Sequence, residues 1–176
     1  MSLNIRKYWL DILAPVLRRE QPPMIPQAVV VRHERVLMVQ RDTPMLWELP
    51  GGSMMAGETP EETVVREVKE ETGVEVRIDA LLGWYQRTGF RAHVSPVYIC
   101  RPIGGRLQAH NEDVLQVRYF SLSTLPRGQF PWYRPILETD LLSTDSRPLQ
   151  RTQHLGPGVL LRCAGLDMAC RLGLFS

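Results

Sequence analysis

The sequence predicts a mixed α/β domain of the α+β type, and three observations carry that expectation. Aliphatic and β-branched runs bounded by turn residues recur between Ala28 and Leu122 and read as strands. One helix, opening at Thr59 and closing at Gly73, is delimited at both ends by its own residues. A stretch before the first strand carries apolar residues at helical spacing. The chain has 176 residues, 44% hydrophobic and 23% charged, an ordinary balance for a globular protein of one domain.

Taken in order, Ile5, Tyr8, Trp9, Ile12, Leu13, Val16 and Leu17 recur every three or four residues within Asn4 to Glu20, which predicts an amphipathic helix. Pro22 and Pro23 stop it. Ala28 to Arg32 and Val36 to Gln40 are strand-like runs around His33-Glu34-Arg35, so they predict a hairpin. Trp47-Glu-Leu-Pro-Gly-Gly52 predicts a short strand ending in a tight loop. Further strands are expected over Val74 to Leu82, Val94 to Ile103 and Val114 to Leu122, and a helix over Trp132 to Leu142 with Pro135 near its first turn. Asp145 to Gly158 has the composition of a loop, and Val159 to Leu174 is apolar without a clean period. The expected organisation is an N-terminal helix and linker over 1–23, a main domain over 24–142, and a C-terminal extension over 143–176 packed on the same domain.

Composition excludes some classes. A formal charge of +2 with no dense Lys/Arg block gives no footprint for a nucleic-acid partner. No apolar run reaches the roughly 20 residues that span a bilayer, so a membrane protein is not expected. Three cysteines, Cys100, Cys163 and Cys170, lack the spacing of a zinc or redox motif, and their odd number favours a reducing, cytoplasmic compartment. His33, His93, His110 and His154 show no ligand spacing.

The chemistry concentrates between Gly52 and Val74. Thr59-Pro-Glu-Glu62 is a capping box with proline at the first helical position, and Gly73 supplies a left-handed stop. At 100° per residue, Glu67, Glu70 and Glu71 share an arc of about 100°, and Val64, Val65 and Val68 occupy the adjoining one. Like charges at this spacing repel by a few tenths of a kcal/mol per pair. A hard cation such as Mg²⁺ takes this kind of clustered oxygen set. The competing reading is a solvated helix whose acids pair with Lys69 and Arg66.

The wider spacing, Gly52-x5-Glu58-x7-Arg66-Glu67-Val68-x-Glu70-Glu71-x-Gly73-Val74, matches every specified position of the Nudix box and so resembles the Nudix hydrolase family. The resemblance runs from about Ala28 to Pro126. It implies a Nudix-like α/β/α sandwich with a mixed β-sheet, in which the box binds a divalent metal, Mg²⁺ or Mn²⁺. It implies Glu70 and Glu71 as principal ligands, Glu67 as a further ligand or as the base that activates water, and the Gly52 carbonyl in the shell. Arg66 is expected to orient the glutamates, Glu58 to lie nearby, and Glu112 to stand where some members supply an extra ligand or base; Asp113 is a weaker candidate for that place.

The implied activity is metal-dependent cleavage of the pyrophosphate linkage in a nucleoside diphosphate joined to another moiety. Nucleoside triphosphates, ADP-ribose and nucleotide sugars all fit, and a homodimer is left open. The proline that marks ADP-ribose hydrolases downstream of the box is replaced by Phe90, and the tyrosine that marks dinucleoside-polyphosphate hydrolases by Ala92. Trp84, Tyr85 and Phe90 could stack on a base, although core packing is the plainer role. The alternatives are a module that senses a nucleotide-like ligand without turnover and a structural protein dimerising through its ends.

Overall fold

The computed structural model describes residues 22–42, 44–109, 113–143 and 147–175. The helix expected over Asn4 to Glu20 lies outside them, as do Glu112 and His110.

Its centre is a mixed sheet. Strands β1 (Gln27–Arg32) and β2 (Arg35–Arg41) form the expected hairpin, turned by His33 and Glu34 with positive φ. A short β3 (Trp47–Glu48) pairs with β2. After helix α1 (Pro60–Thr72) come the long strands β4 (Val74–Gly89) and β5 (His93–Gly105), then β6 (Val114–Ser121). Helix α2 (Tyr133–Glu138) runs into a 3₁₀ turn at Asp140–Leu142, and the chain ends in β7 (Leu149–Leu155) and helix α3 (Pro157–Arg171). The strand order is β3-β2-β1-β5-β4-β7, with β6 on β2; β1 with β5 and β4 with β7 are the parallel pairs.

Alternation along β1 sends side chains to both faces. Ala28 and Val30 pack with Val64 and Val68 of α1, Tyr98 and Cys100 on one side. Val29 faces the larger core on the other, with Tyr85, Val97, Phe130, Trp132 and Ile136. The sandwich expected from the box is therefore present, with α1 covering one face and α2 and α3 the other.

Two expectations are corrected. The stretch over Asp145 to Gly158 is not all loop: β7 pairs with β4 from Gly83↔Leu149 to Gly89↔Leu155. Its sequence, LQRTQHL, hid this because only Leu155 is buried and the rest lies along an exposed sheet edge. Gly83 and Gly89 permit the approach, since a Cβ at either would stand 2.6 and 2.2 Å from the carbonyls of Leu149 and Leu155. Strand β4 also runs past Leu82, absorbing its weak alternation in three register shifts. The apolar stretch without a period after Val159 is α3, started by Pro157 at its first turn.

Cys100, Cys163 and Cys170 are free thiols. No helix among the described residues is long and apolar enough to cross a membrane.

Candidate active site: an acidic edge held by two arginines

Helix α1 forms as its sequence dictates. The Thr59 side chain accepts from the Glu62 amide at 3.2 Å, the Glu62 carboxylate accepts from the Thr59 amide at 2.8 Å, and Gly73 closes the helix at φ 70°. Of the three valines on the adjoining arc, Val64 and Val68 are buried as expected and Val65 is 39% exposed, while Thr63, Glu71 and Thr72 are buried with them. The helical wheel explains Glu71, which stands only about 20° from Val64 at 100° per residue and so falls on the covered shoulder.

Burial divides the three predicted ligands. Glu67 and Glu70 both accept from Nη1 of Arg66, at 2.9 and 3.0 Å. The same guanidinium clasps Glu58 through Nε at 2.6 Å and Nη2 at 2.9 Å, and Nη2 reaches the Ser53 carbonyl at 3.1 Å. All five N–H bonds of Arg66 are thereby used. These bonds, with the Met55 amide and Thr63 hydroxyl, hold the Glu58 carboxyl down at about 2. The loop before the helix and the helix itself are thus tied by one side chain.

Glu71 turns the other way. It is 1% exposed, accepts from the Gly51 amide at 3.1 Å, and forms an ion pair with Arg41 at the end of β2. Arg41 also pairs with the buried Glu48 of β3 and donates to the Gly51 carbonyl at 3.3 Å. Burial pushes the Glu71 carboxyl up, the Arg41 guanidinium pulls it back down, and the charge of Glu48 adds to the rise. Burial acts to lower the Arg41 pKa, but Glu48 and Glu71 outweigh it and hold the guanidinium charged. Among the described residues, no three acidic, histidine or cysteine side chains close into a ready cage for an ion. The sequence placed Glu67, Glu70 and Glu71 on one edge; the structure joins the first two and sets the third beneath them.

The donor set nonetheless fits a hard divalent cation. Glu48, Glu58, Glu67, Glu70 and Glu71 are five carboxylates served by two guanidinia, a surplus of negative charge made of oxygen ligands. At Gly52 a Cβ would lie 2.4 Å from the Glu67 carboxylate, so the missing side chain leaves that carboxylate a cradle against the backbone.

Arg41 and Glu48 are the site residues that the sequence reading did not single out. Their signal was present: Glu48 is an acid inside an apolar strand, and β2 pairs with β3 to bring Arg41 beside it. Tyr85 and Phe90 are core residues, Tyr85 donating to Asp140 at 2.9 Å and Phe90 packing edgewise on Trp132. His93 is buried and hydrogen-bonded, while His154 meets the Thr88 hydroxyl at 3.1 Å.

A NUDIX domain model matches residues 23–139. An ADP-ribose pyrophosphatase from Methanocaldococcus jannaschii is 37% identical over 115 residues, covering 62% of this chain and 68% of its own. The human 8-oxo-dGDP phosphatase NUDT18 is 31% identical over 166 residues, 90% of this chain and 49% of its own. Among solved structures, an ADP-ribose pyrophosphatase from Streptococcus suis superposes with a TM-score of 0.60 at 25% identity, over 76% of this chain and 100% of its own. The family model, the relatives and the fold agree on one class, the NUDIX hydrolases. The chain belongs to the NUDIX family.

Proposed function

We propose that the protein is a metal-dependent pyrophosphohydrolase that cleaves the phosphoanhydride of a nucleoside diphosphate joined to another moiety. The observation that supports this reading best is the five-fold use of Arg66, which gathers Glu58, Glu67 and Glu70 beside Gly52 and in front of Glu71. Glu67 and Glu70 stand at a spacing where like charges repel, a cost to the helix that a bound cation would relieve.

Glu67, Glu70, Glu71 and the Gly52 carbonyl are the groups suited to hold Mg²⁺ or Mn²⁺. Such an ion supplies positive charge against the phosphate oxygens and acidifies water at neutral pH. The protein's own part is positional. Arg66 fixes the directions of Glu67 and Glu70, and Arg41 keeps Glu71 in place beneath them. Glu67 is the carboxylate best set to take the proton of the attacking water, since it rests against the open backbone at Gly52. Attack forms a bond from water oxygen to one phosphorus while the bridging P–O bond breaks, leaving two phosphate products.

The test is a panel of nucleoside triphosphates, ADP-ribose, NADH, dinucleoside polyphosphates and nucleotide sugars, incubated with Mg²⁺ or Mn²⁺ and separated by chromatography. Phosphoanhydride cleavage of at least one compound is expected. A complete lack of turnover, with ligand binding retained, would favour the sensing module instead.

A further inference from the structure

The backbone at Gly51 and Gly52 serves the acidic edge in three ways. The Gly51 amide donates to Glu71 at 3.1 Å, its carbonyl accepts from Arg41 at 3.3 Å, and Gly52 leaves the Glu67 carboxylate its cradle. That backbone is itself seated on the start of β1. Gly51 bridges Gln27, and the Ala28 amide donates to the Pro50 carbonyl at 2.9 Å. A Cβ at Gly51 would lie 2.3 Å from the Pro26 carbonyl oxygen and 2.8 Å from Gln27 Cα, so the two backbones are in direct contact. The place of Gln27 therefore sets the place of Gly51 and Gly52.

Gln27 is buried and held at both ends of its amide. Its Oε1 accepts from Arg87 Nη1 and from the Ser95 hydroxyl, both at 3.0 Å, and Nε2 donates to the Tyr133 hydroxyl. Arg87, on β4, is the hub. Beyond Gln27 of β1 it donates to Gln153 of β7 through Nε at 3.0 Å and to His93 of β5 through Nη1 at 2.6 Å. Nδ1 of His93 faces the Arg91 carbonyl and carries the proton, which leaves Nε2 to accept from the guanidinium. For stability alone Arg87 is a poor choice. It is 1% exposed, no carboxylate among the described residues pairs with it, and its Nη2 has no hydrogen-bond partner there. The rings of Tyr133 and Trp132, at 5.2 and 5.7 Å from its Cζ, compensate only in part. A well-packed apolar side chain avoids the cost of a buried, unpaired charge. It lacks the rigid fork that fixes the Gln27 amide in one orientation.

We propose, on the reading of the acidic edge as a cation site, that Arg87 is a positioning residue for it. Acting through Gln27, Arg87 fixes the backbone at Gly51 and Gly52 where Glu71, Glu67 and a divalent cation need it. The path runs from the guanidinium to the Gln27 amide, from Gln27 to Gly51 across the bridge, and from Gly51 to Glu71 and to its neighbour Gly52. Each link is a hydrogen bond or a backbone contact. The buried guanidinium thus acts at one remove, and groups that orient metal ligands in this way tune metal affinity by about 10- to 100-fold.

The test is Mn²⁺ binding to the full chain, read from the paramagnetic resonance signal of free Mn²⁺, with the melting temperature and Mg²⁺-dependent turnover of each protein measured alongside. Gln27→Met, close to glutamine in shape, removes the link and should weaken Mn²⁺ about tenfold, and Arg87→Met should do the same. Gln27→Glu keeps the accepting oxygen and gives Arg87 a carboxylate, so it should bind Mn²⁺ within about twofold of wild type. That rescue separates the link to Arg87 from mere volume at position 27. Normal Mn²⁺ affinity in both methionine variants, whatever their melting temperatures, overturns the proposal, because the network is then only structural. So does a Gln27→Glu protein that binds Mn²⁺ as weakly as Gln27→Met. If Arg87→Met does not fold, the two Gln27 variants decide alone. Wild type that takes Mn²⁺ but cleaves no nucleotide sinks the hydrolase reading alone, and wild-type turnover with full Mn²⁺ affinity in the methionine variants sinks the positioning role alone.

Discussion

An ion pair joins Arg41, whose side chain is still 24% exposed, to the buried carboxylate of Glu71 on the helix that also carries Glu67 and Glu70. It links the end of the first hairpin to the last turn of the helix, so the depth of the acidic edge is set by the sheet and not by the helix alone.

Removing one partner of that pair should cost more than removing both. Arg41→Met leaves Glu48 and Glu71 buried beside each other without a counter-charge, and about 3–5 kcal/mol of stability is expected to be lost. Adding Glu71→Gln to the same chain should restore part of the loss, because one of the two uncompensated carboxylates, and its repulsion with Glu48, is gone. Urea unfolding of wild type, both single variants and the double variant gives the coupling; additive losses would contradict the pairing.

Arg66 should be irreplaceable by lysine. An ammonium cannot reach Glu58, Glu67, Glu70 and Ser53 together, whereas the guanidinium fork does so. Arg66→Lys is expected to lower kcat by about 10- to 100-fold, the range seen when groups that orient metal ligands are lost. Steady-state kinetics on whichever nucleotide is cleaved reads this out. A fall confined to the melting temperature would make Arg66 a structural clamp only.

Glu67→Gln should separate activity from folding. The amide keeps the shape that fits the Gly52 cradle and loses both the Arg66 ion pair and the repulsion from Glu70, two opposed effects, so thermal stability should stay within about 1 kcal/mol of wild type. Turnover should fall by about 100-fold or more. Circular dichroism melts and a rate assay on one preparation decide it, and an active Glu67→Gln enzyme moves the site elsewhere.

His93 should make the protein acid-sensitive. Burial first, and then the charge of Arg87, lowers its pKa to about 3 from an ordinary value of 6.5. Between these values the unfolded chain binds a proton that the folded chain does not. Stability is therefore full above about pH 6.5 and is lost as pH falls toward 3, with a slope of up to about 1.4 kcal/mol per pH unit from this group. Denaturant unfolding at pH 7.5 and 5 should show the loss, and His93→Gln should flatten it. An unchanged slope in His93→Gln would assign the acid sensitivity to other groups.

The fold was legible wherever local chemistry and burial agreed. The capping box and Gly73 are complete local devices, so α1 could be read to the residue. The hairpin of β1 and β2 could be read as well, because both strands are buried aliphatic runs. Strand β7 could not, because its polar edge is ordered by pairing with β4 and not by its own pattern. The same contrast holds at the site. Glu67, Glu70 and Arg66 follow from spacing along one helix, while Arg41 and Glu48 arrive from strands and depend on sheet register. Arg87 was hidden for a further reason: a lone arginine in a strand gives no sequence sign that it will be fully covered.

The central claim is that the acidic edge works by taking a divalent cation. Its most direct test is the rate of nucleotide hydrolysis as a function of total Mg²⁺, for wild type and Glu70→Gln side by side. The account predicts a wild-type rate that is negligible in chelator and rises to saturation with Mg²⁺, and a Glu70→Gln rate that stays near background throughout. Hydrolysis that is insensitive to chelator, or a Glu70→Gln curve that overlays wild type, would contradict it.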